Sequence, residues 1–201
     1  MWYNVGIMSN TPQLKVCGVN DAAFAQAAER LGADYLGLIF AEGSPRQVTP
    51  AQAAEIVSGL SGKAVTVGVF TSTGVDEIAE IATGLGLSTI QLHRRATADD
   101  VAALKAKGFT VWTLAGGAEA DAMLFDSSHG DGETVLRKGP WRTILAGGVS
   151  VENIRACWTS GADVIDVSGS LESAKGIKSI PRLEEFMKIV HALRLTSNTD
   201  K

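Results

Sequence analysis

Residues 142–170 read RTILAGGVSVENIRACWTSGADVIDVSGS, and this stretch decides the fold. Arg142 to Ala146 is a short β-branched and aliphatic run. Ser150 is placed to cap a helix running to about Thr159, and Gly161 is placed to end it. Asp163 to Val167 is a second apolar run. Two continuous apolar strands joined through a helix form a βαβ unit, whose strands are parallel and covered on both faces. Each strand ends in small residues, Gly147-Gly148 and Ser168-Gly169-Ser170.

The same rhythm extends outward along the chain. Strands are expected at Leu14–Val19, Tyr35–Phe40, Ala64–Phe70, Thr89–His93, Thr110–Leu114 and Ala122–Asp126. Helices are expected from Asp21 to Leu31, from Thr49-Pro50 to about Ser58, at about Val75–Leu85, and from Thr97 to Lys107. A last helix is expected at about Pro181–Leu195. Eight strands, nearly all followed by a helix, favour an α/β single-domain (β/α)8 TIM barrel. An open doubly wound sheet is the structural alternative. Its dinucleotide version is weakened because no Gly-x-Gly-x-x-Gly follows the first strand. The expected organisation is an N-terminal extension over 1–13, a barrel over 14–195 and a polar tail over 196–201.

The chain has 201 residues, 45% hydrophobic and 20% charged, as a soluble globular domain requires. A net charge of −4 without a basic run argues against a nucleic-acid partner, yet still permits a small anion held by backbone N–H groups. No apolar stretch is long enough to span a membrane. The N-terminus lacks a signal-peptide pattern, so a cytoplasmic protein with reduced Cys17 and Cys157 is expected, although a disulfide between them stays open.

In a barrel, chemistry sits at the C-terminal strand ends. These ends present Lys15 and Cys17, Arg46, His93, Asp126, Gly147-Gly148, and Asp166 with Ser168-Gly169-Ser170. Cys17 read alone is a buried, inert thiol. Lys15, two residues away on the same strand face, would favour its thiolate. Asp126 ends an apolar run, a boundary that suits a general acid as well as a turn aspartate. Asp166 carries the same two readings. The glycine turns after strands seven and eight suit phosphate, and equally suit tight turns. Arg46 could clamp an anion. Only His93, His129 and His191 are present, so no metal cluster stands out.

Together these segments resemble the phosphoribosylanthranilate isomerase family of tryptophan biosynthesis. The resemblance rests on Lys15-Val16-Cys17-Gly18, Gly32 to Phe40 with Ser44-Pro45-Arg46, Val67 to Phe70 and Gln91-Leu92-His93. It continues through Phe125-Asp126-Ser127, Leu145 to Gly148 with Asn153, and Asp166-Val167-Ser168 with Glu172 and Lys178. It runs in order from about Leu14 to His191.

The resemblance implies an aldose–ketose isomerase, formally an intramolecular oxidoreductase. It would convert N-(5-phosphoribosyl)anthranilate to 1-(2-carboxyphenylamino)-1-deoxyribulose 5-phosphate by an Amadori rearrangement, with no cofactor and no metal. It implies Cys17 as general base and Asp126 as general acid. Lys15, Arg46, His93 and Asp166 would bind substrate. Gly147, Gly148, Ser168, Gly169 and Ser170 would bind phosphate. The expected partner is a small phosphorylated substrate, with monomer and homodimer both open.

Three segments depart from the family pattern: Arg94-Arg95 after His93, the order Gly169-Ser170, and Gly130 to Thr134 after strand six. The rivals are a histidine-pathway aminosugar isomerase, which would carry aspartate where Cys17 stands, a non-catalytic phosphate-binding barrel, and a flavin- or metal-dependent barrel.

Overall fold

A computed structural model describes residues 11–127, 136 and 138–199. His129 and the departure at 130–134 lie outside these, as does most of the expected N-terminal extension.

Eight parallel strands close into a barrel: β1 (Gln13–Cys17), β2 (Tyr35–Ile39), β3 (Val65–Phe70), β4 (Thr89–Leu92), β5 (Thr110–Leu114), β6 (Ala122–Asp126), β7 (Arg142–Ala146) and β8 (Val164–Val167). Closure is made by β8 on β1, with Lys15 beside Asp166 and Val16 beside Val167. Helices α1 (Ala22–Arg30), α2 (Pro50–Ser58), α3 (Val75–Gly84), α4 (Ala98–Ala106), α5 (Ile154–Trp158) and α6 (Ile180–Thr199) accompany it. The closed sheet excludes the open doubly wound alternative.

Local chemistry sets these boundaries. The Asp21 carboxylate accepts the Phe24 N–H and caps α1. Thr49 and Gln52 cap α2 reciprocally, with Pro50 at its first position, where no N–H is needed. Thr97 and Asp100 do the same for α4.

Alternation along each strand divides the apolar side chains into two layers. Leu14 and Val16 of β1 face the helices, whereas Lys15 and Cys17 face the barrel interior with Val67, Trp112, Leu124 and Ile144. The N-terminal end is closed by polar groups. The Arg142 guanidinium donates to the Tyr35 hydroxyl at 2.8 Å and to Gln13 Oε1 at 2.5 Å. Tyr35 also packs edge-on against Trp112, with ring centroids 5.0 Å apart.

Three elements differ from the sequence expectation. Ser150 does not begin a helix: α5 starts at Ile154 and has five residues. The Asn153 side chain instead folds back, its Oδ1 accepting the Ser150 N–H and its Nδ2 donating to the Gly148 carbonyl. Residues 150–153 are therefore spent shaping the turn after β7. The last helix continues past Leu195 to Thr199. Between β8 and α6 the chain makes a 3-10 turn (Gly169–Leu171) and an antiparallel hairpin of β9 (Glu172–Ala174) and β10 (Ile177–Lys178), which the sequence reading lacked.

Candidate active site

The C-terminal strand ends enclose a cavity of about 610 Å³, within the range of small-molecule sites. Its wall contains Cys17, Arg46, His93, Asp126, Gly147, Gly148, Asp166, Ser168, Gly169 and Ser170. Ten of the eleven residues singled out from the sequence thus meet in one space. Lys15 is the exception. It is fully buried beneath the cavity and outside its wall, because β1 turns it into the barrel interior.

Lys15 Nζ donates to Asp166 Oδ2 at 2.7 Å, and its ammonium also interacts electrostatically with the neighbouring Cys17. Burial opposes its charge, but Asp166 and Cys17 together hold its pKa above the ordinary lysine value. At Cys17 the two influences expected from the sequence oppose each other. Burial pushes its thiol up, and the Lys15 ammonium offsets this only in part while Asp166 adds to it. In the free protein the neutral thiol is therefore the favoured form. Burial likewise lifts Asp166 above the ordinary carboxylate range, against the pull of Lys15.

Cys17 needs a glycine beside it. It pairs with Gly37 across β1 and β2. A Cβ on Gly37 would lie 2.8 Å from Cys17 Sγ and 3.2 Å from Lys15 Nζ. Across the cavity, Gly147 has a φ of +87°, and a Cβ there would lie 2.4 Å from Asp126 Oδ1. Each of the two proposed proton-transfer groups is thus seated against a position where only hydrogen fits.

His93 lies next to Asp126, with Nε2 3.9 Å from Oδ2. Its Nδ1 is 3.2 Å from Gln91 Nε2. Gln91 is buried in the cavity wall and was not among the candidates, although it stands in the Gln91-Leu92-His93 run. Among the described residues, Gln91 Oε1 and Asp166 Oδ1 are buried oxygens without a hydrogen-bond donor.

On the opposite rim, Gly147 and Gly148 both adopt left-handed conformations. In the 3-10 turn after β8 the first internal bond is donated by Leu171 to the Ser168 carbonyl, so Gly169 and Ser170 open the turn. The serine hydroxyls are already engaged: Ser168 Oγ donates to the Cys17 carbonyl at 3.0 Å and Ser170 Oγ to the Val149 carbonyl at 2.6 Å.

Arg46 lines the cavity but is held by Glu172, which accepts from both Nε and Nη2, the latter at 3.0 Å. Glu172 and Lys178 were noted only as part of the family pattern. The paired charges in the loops after β2 and β8 were the signal for this contact. Burial opposes the Glu172 charge, but Arg46, the Gly176 N–H and Lys178 bring its pKa down to about 2. The unusual Arg94 is a strut: its guanidinium donates to the Thr71 and Thr73 carbonyls and to Asp100 Oδ2. Cys157 is a free thiol, as is Cys17. Among the described residues no helix is long and apolar enough to cross a membrane.

An eight-stranded parallel barrel with its cavity at the C-terminal strand ends is a (β/α)8 barrel of the enzyme type. Within that class, the chain belongs to the N-(5'phosphoribosyl)anthranilate (PRA) isomerase family, whose model matches residues 14–189. The N-(5'-phosphoribosyl)anthranilate isomerase of Bacillus cereus is 35% identical over 196 residues, covering 87% of this chain and 96% of that one. The crystal structure of phosphoribosyl anthranilate isomerase from Thermus thermophilus superposes with a TM-score of 0.78 at 29% identity, covering 90% of this chain and 99% of that one. A further phosphoribosyl anthranilate isomerase was solved with reduced 1-(o-carboxyphenylamino)-1-deoxyribulose 5-phosphate. It shares the fold at 21% identity and a TM-score of 0.76, with coverage of 90% and 99%.

Proposed function

We propose that the chain isomerises N-(5-phosphoribosyl)anthranilate to 1-(2-carboxyphenylamino)-1-deoxyribulose 5-phosphate. The observation that carries this reading is the shared cavity. Cys17 and Asp126, from β1 and β6, line the same space as the glycine turns after β7 and β8.

Asp126 protonates the ribose ring oxygen, the bond from that oxygen to C1′ breaks, and an iminium forms on the anthranilate nitrogen. Cys17 takes the C2′ proton as thiolate, and the electron pair passes to the iminium to give an enolamine. Tautomerisation then gives the ketone. The buried thiol needs help to ionise. The positive iminium supplies it, adding to Lys15, at the step where the base is required. The iminium is the electron sink, so the chemistry requires no cofactor or metal.

The remaining cavity residues divide by chemistry. The unpartnered oxygens of Gln91 and Asp166 suit sugar hydroxyl donors. Gly147, Gly148, Ser168, Gly169 and Ser170 would receive the phosphate, chiefly through backbone N–H groups. Arg46 would take the anthranilate carboxylate, and His93 would orient Asp126. Lys15 acts through Cys17 and Asp166 rather than by touching substrate.

We take residues 14–195 as the catalytic barrel of a cytoplasmic enzyme that works as monomer or homodimer. The test is loss of anthranilate-type fluorescence on adding the protein to freshly generated phosphoribosylanthranilate with a chelator and no cofactor. Conversion is expected. A folded protein that fails to convert it would leave the non-catalytic phosphate-binding barrel.

A further inference from the structure

The contact between Arg46 and Glu172 joins two loops that are distant in sequence. Glu172 opens β9 in the hairpin after β8, and its side chain is only 5% exposed. Its carboxylate collects four donors: Arg46 Nε, Arg46 Nη2, the Gly176 N–H at 3.0 Å and Lys178 Nζ at 3.2 Å. Lys178 is anchored in turn on the Ser168 carbonyl at 3.0 Å. The hairpin is itself fixed against the rim. Asn20 Nδ2 donates to the Gly176 carbonyl at 3.0 Å, and Gly176 lies so close to Pro45 that a Cβ would meet its carbonyl oxygen at 2.3 Å.

An arginine in a cavity wall ordinarily surrenders rotamer freedom when it binds an anion. Here that freedom is already lost. The two-donor fork of Nε and Nη2 is consumed by Glu172, and among the described residues Nη1 meets no protein acceptor. Arg46, which lines the cavity, is thus held in one orientation, with Nη1 the nitrogen left without a protein acceptor.

We propose that Glu172 is a positioning residue: from the hairpin after β8 it fixes Arg46 so that the Nη1 edge, not the fork, receives the carboxylate of the bound aromatic acid. This rests on the isomerase reading above. Glu172 reaches the phosphate turn only indirectly, through Lys178 and the Ser168 carbonyl, so its effect should fall mainly on the carboxylate end of the ligand.

The test is a double-mutant cycle of Glu172→Gln with Arg46→Ala. It reads kcat, KM, and the dissociation constants of the reduced product and of inorganic phosphate. Glu172→Gln is expected to weaken binding of the reduced product and raise KM by about tenfold, while kcat falls less than KM rises and phosphate affinity stays within about twofold. In the Arg46→Ala background the same substitution should cost almost nothing further. Restoration of most of the affinity by Glu172→Asp would support a carboxylate role. Glu172→Ala and its cycle with Arg46→Ala carry the test if Glu172→Gln does not fold.

Unchanged affinity in folded Glu172→Gln (or in Glu172→Ala where that carries the test), an undiminished loss in the Arg46→Ala background, or an equal loss of phosphate affinity would each overturn the proposal. Wild-type protein that fails to bind the reduced product at all would instead overturn the isomerase reading on which it rests.

Discussion

The thiol proposed as the base is buried beside an ammonium that is itself committed to a carboxylate. Lys15 is shared between Asp166 and Cys17, so its full charge is not available to the sulfur, and burial wins. The thiolate fraction then grows with pH until the raised pKa is passed. The kcat/KM of the isomerase should accordingly climb between about pH 7 and about pH 9, and a flat profile there would remove Cys17 as the group whose ionisation limits the rate. Lys15→Met leaves Asp166 buried without its cation. We expect a loss of about 3–5 kcal/mol in urea unfolding; a loss below about 1 kcal/mol would mean the pair is dispensable.

Lys15 and Cys17 were legible in the sequence because strand alternation places them on one face, and Asp166 because it stands at the end of the last apolar run. The sign of the Cys17 shift was not. It depends on how completely the barrel covers the sulfur, and on Asp166 claiming Lys15. Gly37 was equally hidden, since nothing in its neighbourhood names Cys17 as its partner across the sheet.

At the level of elements, the strands were readable and the pieces around the rim were not. Runs such as 67–70 and 122–125 are continuous and apolar because both faces are covered. The Asn153 turn and the β9–β10 hairpin are short, and their hydrogen bonds reach distant loops. Local pattern therefore carries little of their signal. Ser150 shows the error: it has the chemistry of a cap, but its N–H is taken by Asn153.

The hairpin also has a pH signature. Glu172 sits at about 2, below the ordinary glutamate range. A depressed carboxylate contributes stability that is present above the unfolded pKa and is lost as pH falls through the folded one. Wild-type protein should therefore lose more unfolding free energy than Glu172→Gln between about pH 5 and about pH 2. Parallel losses in the two proteins, measured by urea titration at each pH, would show that Glu172 is not the group responsible.

The whole molecule puts stability and chemistry at opposite ends. The N-terminal end is closed by Arg142, Tyr35, Gln13 and Trp112. The C-terminal end is left as a cavity whose wall comes from seven strand ends or the loops after them. The barrel could be read from eight repeating units, and its closure then brought together candidates more than a hundred residues apart. Disruption of the N-terminal plug should lower stability without changing ligand recognition. Tyr35→Ala is expected to cost about 3–5 kcal/mol, while the affinity of the folded protein for the reduced product is retained. A variant that keeps its stability, or that loses the ligand, would contradict this division.

The central claim is that Cys17 and Asp126 are the base and acid of one rearrangement. It is tested most directly by comparing wild-type, Cys17→Ser and Asp126→Asn proteins for turnover of phosphoribosylanthranilate and for binding of the reduced product. Each variant is expected to lose about a hundredfold or more in kcat while still binding the product analogue. Near-normal turnover by either folded variant would contradict the account.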